Sequence, residues 1–96
     1  MLYNDCMKLT GSEINEKLKE LSGWRFKDNS ISKIFEFKDF LESIEFVNKV
    51  APIAEELNHH PDIDIRYSKV IISLSTHDEK GVTEKDIQLA KRTGKL

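Results

Sequence analysis

A chain of 96 residues with 39% hydrophobic and 33% charged content is sized for one small domain with a single core, and at this size association with further copies adds burial that a monomer lacks. The net charge of -2, from 15 basic and 17 acidic side chains that are intermixed, provides no basic stripe for a phosphate backbone and argues against direct nucleic-acid binding. The one cysteine, Cys6, has no internal disulfide partner, the first residues lack a secretory pattern, and no apolar run approaches the roughly 20 residues that span a bilayer, so the expected setting is a reducing cytoplasm without a membrane partner.

Thr10 followed by Glu13 has the spacing of a capping box, with Leu9 and Ile14 placed as its hydrophobic staple. Ile14, Leu18 and Leu21 continue a helical stripe that Gly23 is expected to end. Trp24-Arg25-Phe26 and the run from Ile31 to Phe37 then read as two strands of a hairpin around Asp28-Asn29-Ser30. Asp39 with Glu42 repeats the capping logic and opens a helix expected to reach Asn58. It carries one apolar stripe of Phe40, Ile44, Val47, Ala51 and Ala54 and a second of Phe46, Val50, Ile53 and Leu57. That sector is wider than one sheet face requires, which points to contact with another subunit. Pro52 falls inside this helix, where it removes a hydrogen bond.

The run from Asp62 to Tyr67 alternates polar and apolar, and Val70 to Ser75 is rich in β-branched residues. A hairpin turning at Ser68-Lys69 would set Tyr67 against Val70 and His77 against His60, with His59 beside them. After a turn at Gly81, Thr83 opens a last helix through Ile87, Leu89 and Ala90. The order α-β-β-α-β-β-α, without linkers, repeats or a Gly-rich phosphate loop, predicts a single α+β domain over residues 1-96: one four-stranded antiparallel sheet with three helices on one face.

All 3 histidines of the chain fall between residues 59 and 77. Taken singly, each neighbour has a structural explanation. His59-His60-Pro61 reads as a helix end, because cations favour helix C-termini and proline follows them. Glu55 pairs with His59 at four-residue spacing on a helix surface, and Asp86 caps with Thr83. A zinc site is disfavoured because His59 and His60 are adjacent, not spaced to point at one ion, and Ser73, Ser75 and Cys6 lack the surroundings of a nucleophile. Convergence of imidazoles and carboxylates at one end of a sheet instead fits general acid–base chemistry, since histidine both donates and accepts protons near neutral pH.

The ordered set Glu55-x-x-x-His59-His60-Pro61, five residues, Tyr67, nine residues, His77, eight residues, Asp86 resembles the pterin-4a-carbinolamine dehydratases. The likeness extends through Phe37-Lys38-Asp39-Phe40, Leu74-Ser75-Thr76-His77 and Asp86-Ile87-x-Leu89-Ala90, and so covers most of the chain from about Trp24 onward. The resemblance implies dehydration of 4a-hydroxytetrahydrobiopterin to quinonoid dihydrobiopterin and water, with no metal or organic cofactor. It implies a catalytic set of His59, His60, His77 and Asp86, in which His59 and His77 transfer protons and His60 holds the hydroxyl end of the substrate. Substrate contacts are implied for Glu55, Asn58 and Pro61, for Ser75, Thr76 and Asp78, and for Trp24 as a wall. Two departures bear on the pocket rim: Asn58 stands where animal members have an aspartate, and Ile63-Asp64 replaces an aromatic pair. The family also implies a homodimer or homotetramer. A non-catalytic pterin-binding or interaction module, and a dehydratase of another pterin linked to molybdenum-cofactor metabolism, remain the competing expectations.

Overall fold

The computed structural model describes residues 7–96, and Cys6 lies outside them. Along the chain run α1 (Gly11–Leu18), β1 (Arg25–Lys27), β2 (Ser30–Glu36), α2 (Phe40–Leu57), β3 (Asp62–Arg66), β4 (Lys69–Leu74) and α3 (Glu84–Thr93). The strands form one antiparallel sheet in the order β1-β2-β4-β3. This is the expected α+β arrangement with its helices on one face.

Alternation along the strands separates the two faces. Val70, Ile72 and Leu74 on β4 and Ile31 on β2 are buried, whereas Ile34 and Glu36 on β2 are exposed. Each fully buried Val or Ile contributes about 1.5–3 kcal/mol by leaving water. Phe46 joins the helical layer to the sheet, with ring centroids 4.6 Å from Phe35 and 5.1 Å from Phe37, and Trp24 meets Phe35 edge-on at 6.1 Å. Of the two stripes on α2, the one led by Phe46 and Val50 packs on the core; the other is divided, with Ala54 buried and Val47 packed against the core while Phe40 and Ala51, and Leu41 beside them, stay exposed. The helix continues through Pro52, which lies on its exposed side.

The caps behave as their sequence suggests. Thr10 and Glu13 close a reciprocal capping box, as do Thr83 and Asp86. Asp39 caps α2 by accepting from the Glu42 amide, and Glu42 reaches back to the Lys38 amide. Three boundaries differ from expectation. The first helix stops at Leu18, and i to i−3 bonds from Lys19, Glu20 and Leu21 carry the chain as turns to Gly23, whose φ of +87° needs a residue without a Cβ. The first hairpin turns on two residues, Asp28 and Asn29, both with positive φ as a type I′ turn demands. The second hairpin pairs Arg66 with Lys69, so its turn is Tyr67-Ser68 and not Ser68-Lys69. Tyr67 takes φ +55° there. Moving the turn by one residue shifts the pairing by two, with Val70 opposite Ile65 and not Tyr67, and removes the expected His60–His77 opposition; extending the observed register outward would set His59 against Thr76.

Candidate active site

The end of α2 directs two consecutive histidines to different places. Asn58 is left-handed at φ 50° and ψ 44°; its amide donates to Glu55 O at 3.1 Å and the His59 amide to Ala54 O at 3.0 Å. These five-to-two and six-to-one bonds form a Schellman ending, and asparagine tolerates the left-handed residue it requires. The chain therefore leaves the helix abruptly. His59 turns inward, with 10% of its side chain exposed, and His60 stays out with 59% exposed.

Each imidazole meets its own carboxylate through Nε2. His60 Nε2 lies 2.5 Å from Oε2 of Glu55, an exposed pair made within the helix end. His59 Nε2 is bonded to Oδ1 of Asp86, whose side chain is fully buried in the first turn of α3. The other oxygen of Asp86 is occupied by protein donors: Oδ2 accepts from the Thr83 amide at 2.9 Å and from the Thr76 hydroxyl at 3.0 Å. Thr76 Oγ1 lies 2.8 Å from Thr83 Oγ1, which in turn accepts from the Lys85 amide at 3.3 Å.

Proton counting gives this chain one direction. The Lys85 amide only donates, and Thr76 spends its single hydroxyl proton on Asp86, so the Thr83 hydroxyl donates to Thr76. Asp86 Oδ2, with two donors upon it, has no vacancy for a proton, and with the carboxylate ionised Oδ1 accepts from Nε2–H of His59. Nδ1 of His59 is then the ring nitrogen left to accept a proton. Glu55 holds His60 through Nε2 as an exposed pair, with no further protein donor on its carboxylate among the described residues.

Asp86 thus serves twice, capping α3 with one oxygen and orienting His59 with the other. The capping-box spacing of Thr83 and Asp86 was the signal in the sequence; it did not disclose that Thr76 bonds to the same carboxylate, nor that Thr83 belongs to the site's support. His77 begins a short 3-10 turn, His77–Glu79, immediately after Thr76. It is exposed, as is Asp78, and neither makes a side-chain hydrogen bond or ion pair among the described residues. Ser75 and Pro61 are half-buried beside the cluster in sequence, and Asn58 is exposed with its backbone fixed by the helix ending. No three His, Cys, Asp or Glu side chains converge as metal ligands among the described residues.

Trp24 stands apart. It is 6% exposed and lines a depression with Lys33, Lys91 and Lys95, with no histidine in the lining. Gly94, in the same lining, lies about 12 Å along the axis of α3 from Asp86 at 1.5 Å per residue. Nothing in this arrangement brings Trp24 beside the imidazoles. Arg92 of α3 grips Glu56 of α2 through two contacts of 3.2 Å, tying together the helices that carry Asp86 and Glu55.

With this geometry defined, comparison with known proteins places it. The family model described as pterin 4 alpha carbinolamine dehydratase matches residues 7–96. A protein of Sulfolobus acidocaldarius bearing the pterin-4-alpha-carbinolamine dehydratase name is 51% identical over 90 residues, covering 94% of this chain and 99% of its own. One from Herpetosiphon aurantiacus with the same name is 55% identical over 82 residues, 85% of each chain. Among solved structures, a transcriptional coactivator/pterin dehydratase from Brucella melitensis superposes with a TM-score of 0.88 at 42% identity, covering 92% of this chain and 96% of that one.

Proposed function

The chain belongs to the pterin 4 alpha carbinolamine dehydratase family, and on that premise we propose that it dehydrates 4a-hydroxytetrahydrobiopterin to quinonoid dihydrobiopterin. The reaction breaks the C4a–O bond. One imidazole gives the departing hydroxyl a proton so that it leaves as water, and a second group takes a proton from a ring N–H. The adjacent ring nitrogen supplies the electron pair that expels the hydroxyl, so proton transfers suffice to drive the elimination.

His59 and His77 carry these transfers, with Nδ1 of His59 as the accepting atom. His60 holds the hydroxyl end of the substrate, and Asp86 and Glu55 fix ring orientation. Asn58, Pro61, Ser75, Thr76 and Asp78 flank the bound pterin. The protein works in the cytoplasm, in tetrahydrobiopterin recycling, as a homodimer or homotetramer, and the exposed Phe40 and Leu41 on α2 suit such contacts. The observation that carries this reading is the directed hydrogen-bond chain ending at His59, which leaves a buried imidazole with one defined proton-accepting nitrogen. A module that binds pterin only for shape has no use for such control.

The test is the rate of water loss from synthetic 4a-hydroxytetrahydropterin, followed by ultraviolet absorbance, with wild type and with His77→Ala. His77 makes no side-chain hydrogen bond among the described residues and is exposed, so the variant should fold as wild type within about 0.5 kcal/mol. Acceleration by wild type that drops by about a hundredfold or more in the variant supports the reading. Equal rates in the two proteins would refute the role of His77, and no acceleration by folded wild type would refute the activity.

A further inference from the structure

The depression at the far end of α3 has a chemistry of its own. Its volume is about 390 Å³, within the range of small-molecule sites. Leu21, Trp24 and Ala90 give it an apolar floor, and Lys33, Lys91 and Lys95 stand around it against a single acid, Glu20.

Lys91 and Lys95 alone would be ordinary companions of a helix C-terminus. The indole is a different matter. Trp24 is 6% exposed, yet no side-chain hydrogen bond among the described residues uses its N–H, and no buried nitrogen or oxygen there lacks a partner. Its Nε1 therefore keeps some solvent exposure, on a ring that lines this cavity. A buried tryptophan ordinarily finds an acceptor within the protein; this one has none among the described residues.

The lysines around it are available for an anion. Lys33 is braced by a 2.8 Å bond to Ser22 O and by the Phe35 ring 4.8 Å away, leaving donors over, while Lys91 and Lys95 make no ion pair among the described residues. Of the carbonyls that would oppose an anion at this helix end, three are engaged: Ala90 O by the Gly94 amide at 3.0 Å, Arg92 O by the Lys95 amide at 3.3 Å and Thr93 O by the Leu96 amide at 3.2 Å.

We propose that this cavity binds a small organic anion, a carboxylate or phosphate on a flat apolar body, with the anionic group on Trp24 Nε1–H and the lysines and the body on Leu21 and Ala90. The site is separate from the histidine cluster and stands whether or not the dehydratase reading does.

Trp24 is the only tryptophan of the chain, so tryptophan fluorescence reports on the ring that lines this cavity. The intact protein is titrated with benzoate, with benzyl alcohol as the same ring without charge, and with acetate as the charge without the ring. Benzoate should change the emission saturably, with a midpoint at least about tenfold lower than either control. The Lys91→Gln/Lys95→Gln double variant, altered only at exposed positions, should retain the wild-type thermal midpoint and bind benzoate about fivefold or more weakly. A benzoate response that is linear rather than saturable, that benzyl alcohol matches, or that the double variant leaves unchanged overturns the proposal.

Discussion

Asp86→Asn separates the two jobs of that side chain. The asparagine can place its amide oxygen where Oδ2 now lies, keeping the Thr83 amide at 2.9 Å and the Thr76 hydroxyl at 3.0 Å, and then its NH2 faces His59. The opposite rotamer sets NH2 against the buried Thr83 N–H and loses that bond outright, a cost of about 1–3 kcal/mol. At 1.4 kcal/mol per tenfold, the first orientation is favoured by roughly fivefold to a hundredfold. The capping bonds thus choose the rotamer, and the rotamer forces His59 to accept at Nε2 and carry its proton on Nδ1. The nitrogen assigned as base becomes a donor. Folding stability should fall by only about 1–2 kcal/mol, since a charged hydrogen bond is exchanged for a neutral one while the cap survives. The dehydration rate should fall by about 10²–10⁴, the usual worth of a positioned general base. Ring ¹⁵N shifts of His59 read the tautomer without substrate, and absorbance reads the rate. An Nε2–H tautomer that persists in the variant, or a rate within a few-fold of wild type, would refute the assignment of Nδ1.

Asn58→Gly should leave stability nearly unchanged, whereas Asn58→Ala should lower it by about 1 kcal/mol, because the position holds φ 50°; equal urea midpoints for the two variants would show that the left-handed ending is not what asparagine supplies there. The Glu56 carboxyl is held below its ordinary range first by hydrogen bonding from Arg92 and then by its charge. Its folded pKa lies below its unfolded one, so the stabilisation is present above the unfolded value and is lost as pH falls through the folded one. The pair is exposed, so the effect is small, but Glu56→Gln should flatten the acid limb of a thermal-midpoint-against-pH curve; an unaltered limb counts against the pair.

The elements and their order were legible in the sequence because caps and periodicity speak locally: Thr10 with Glu13, Asp39 with Glu42 and Thr83 with Asp86 each mark a helix start that the structure has. The second hairpin was misread by one residue because its positive-φ turn position is Tyr67, an aromatic residue that gives no turn signal, where glycine or asparagine would have. Leu21 extended the helical stripe on paper, yet the chain had already left the helix after Leu18, since a periodic leucine fits a tight turn as well as a helix. The gathering of imidazoles and carboxylates was visible as spacing. The His59 bond to Asp86 was not, because it joins the end of one helix to the start of another across 27 residues, and no local pattern encodes that distance.

The abrupt ending of α2 also divides the site in time. His60 and Glu55 lie five residues apart and can meet as soon as that helix end exists, whereas His59 finds Asp86 only when α3 has docked. Loop-closure entropy opposes the second encounter, across 27 residues, by about 1.5 kcal/mol more than the first, across 5. The His59–Asp86 bond is therefore a marker of the docked last helix, which the His60–Glu55 pair, local to the end of α2, is not.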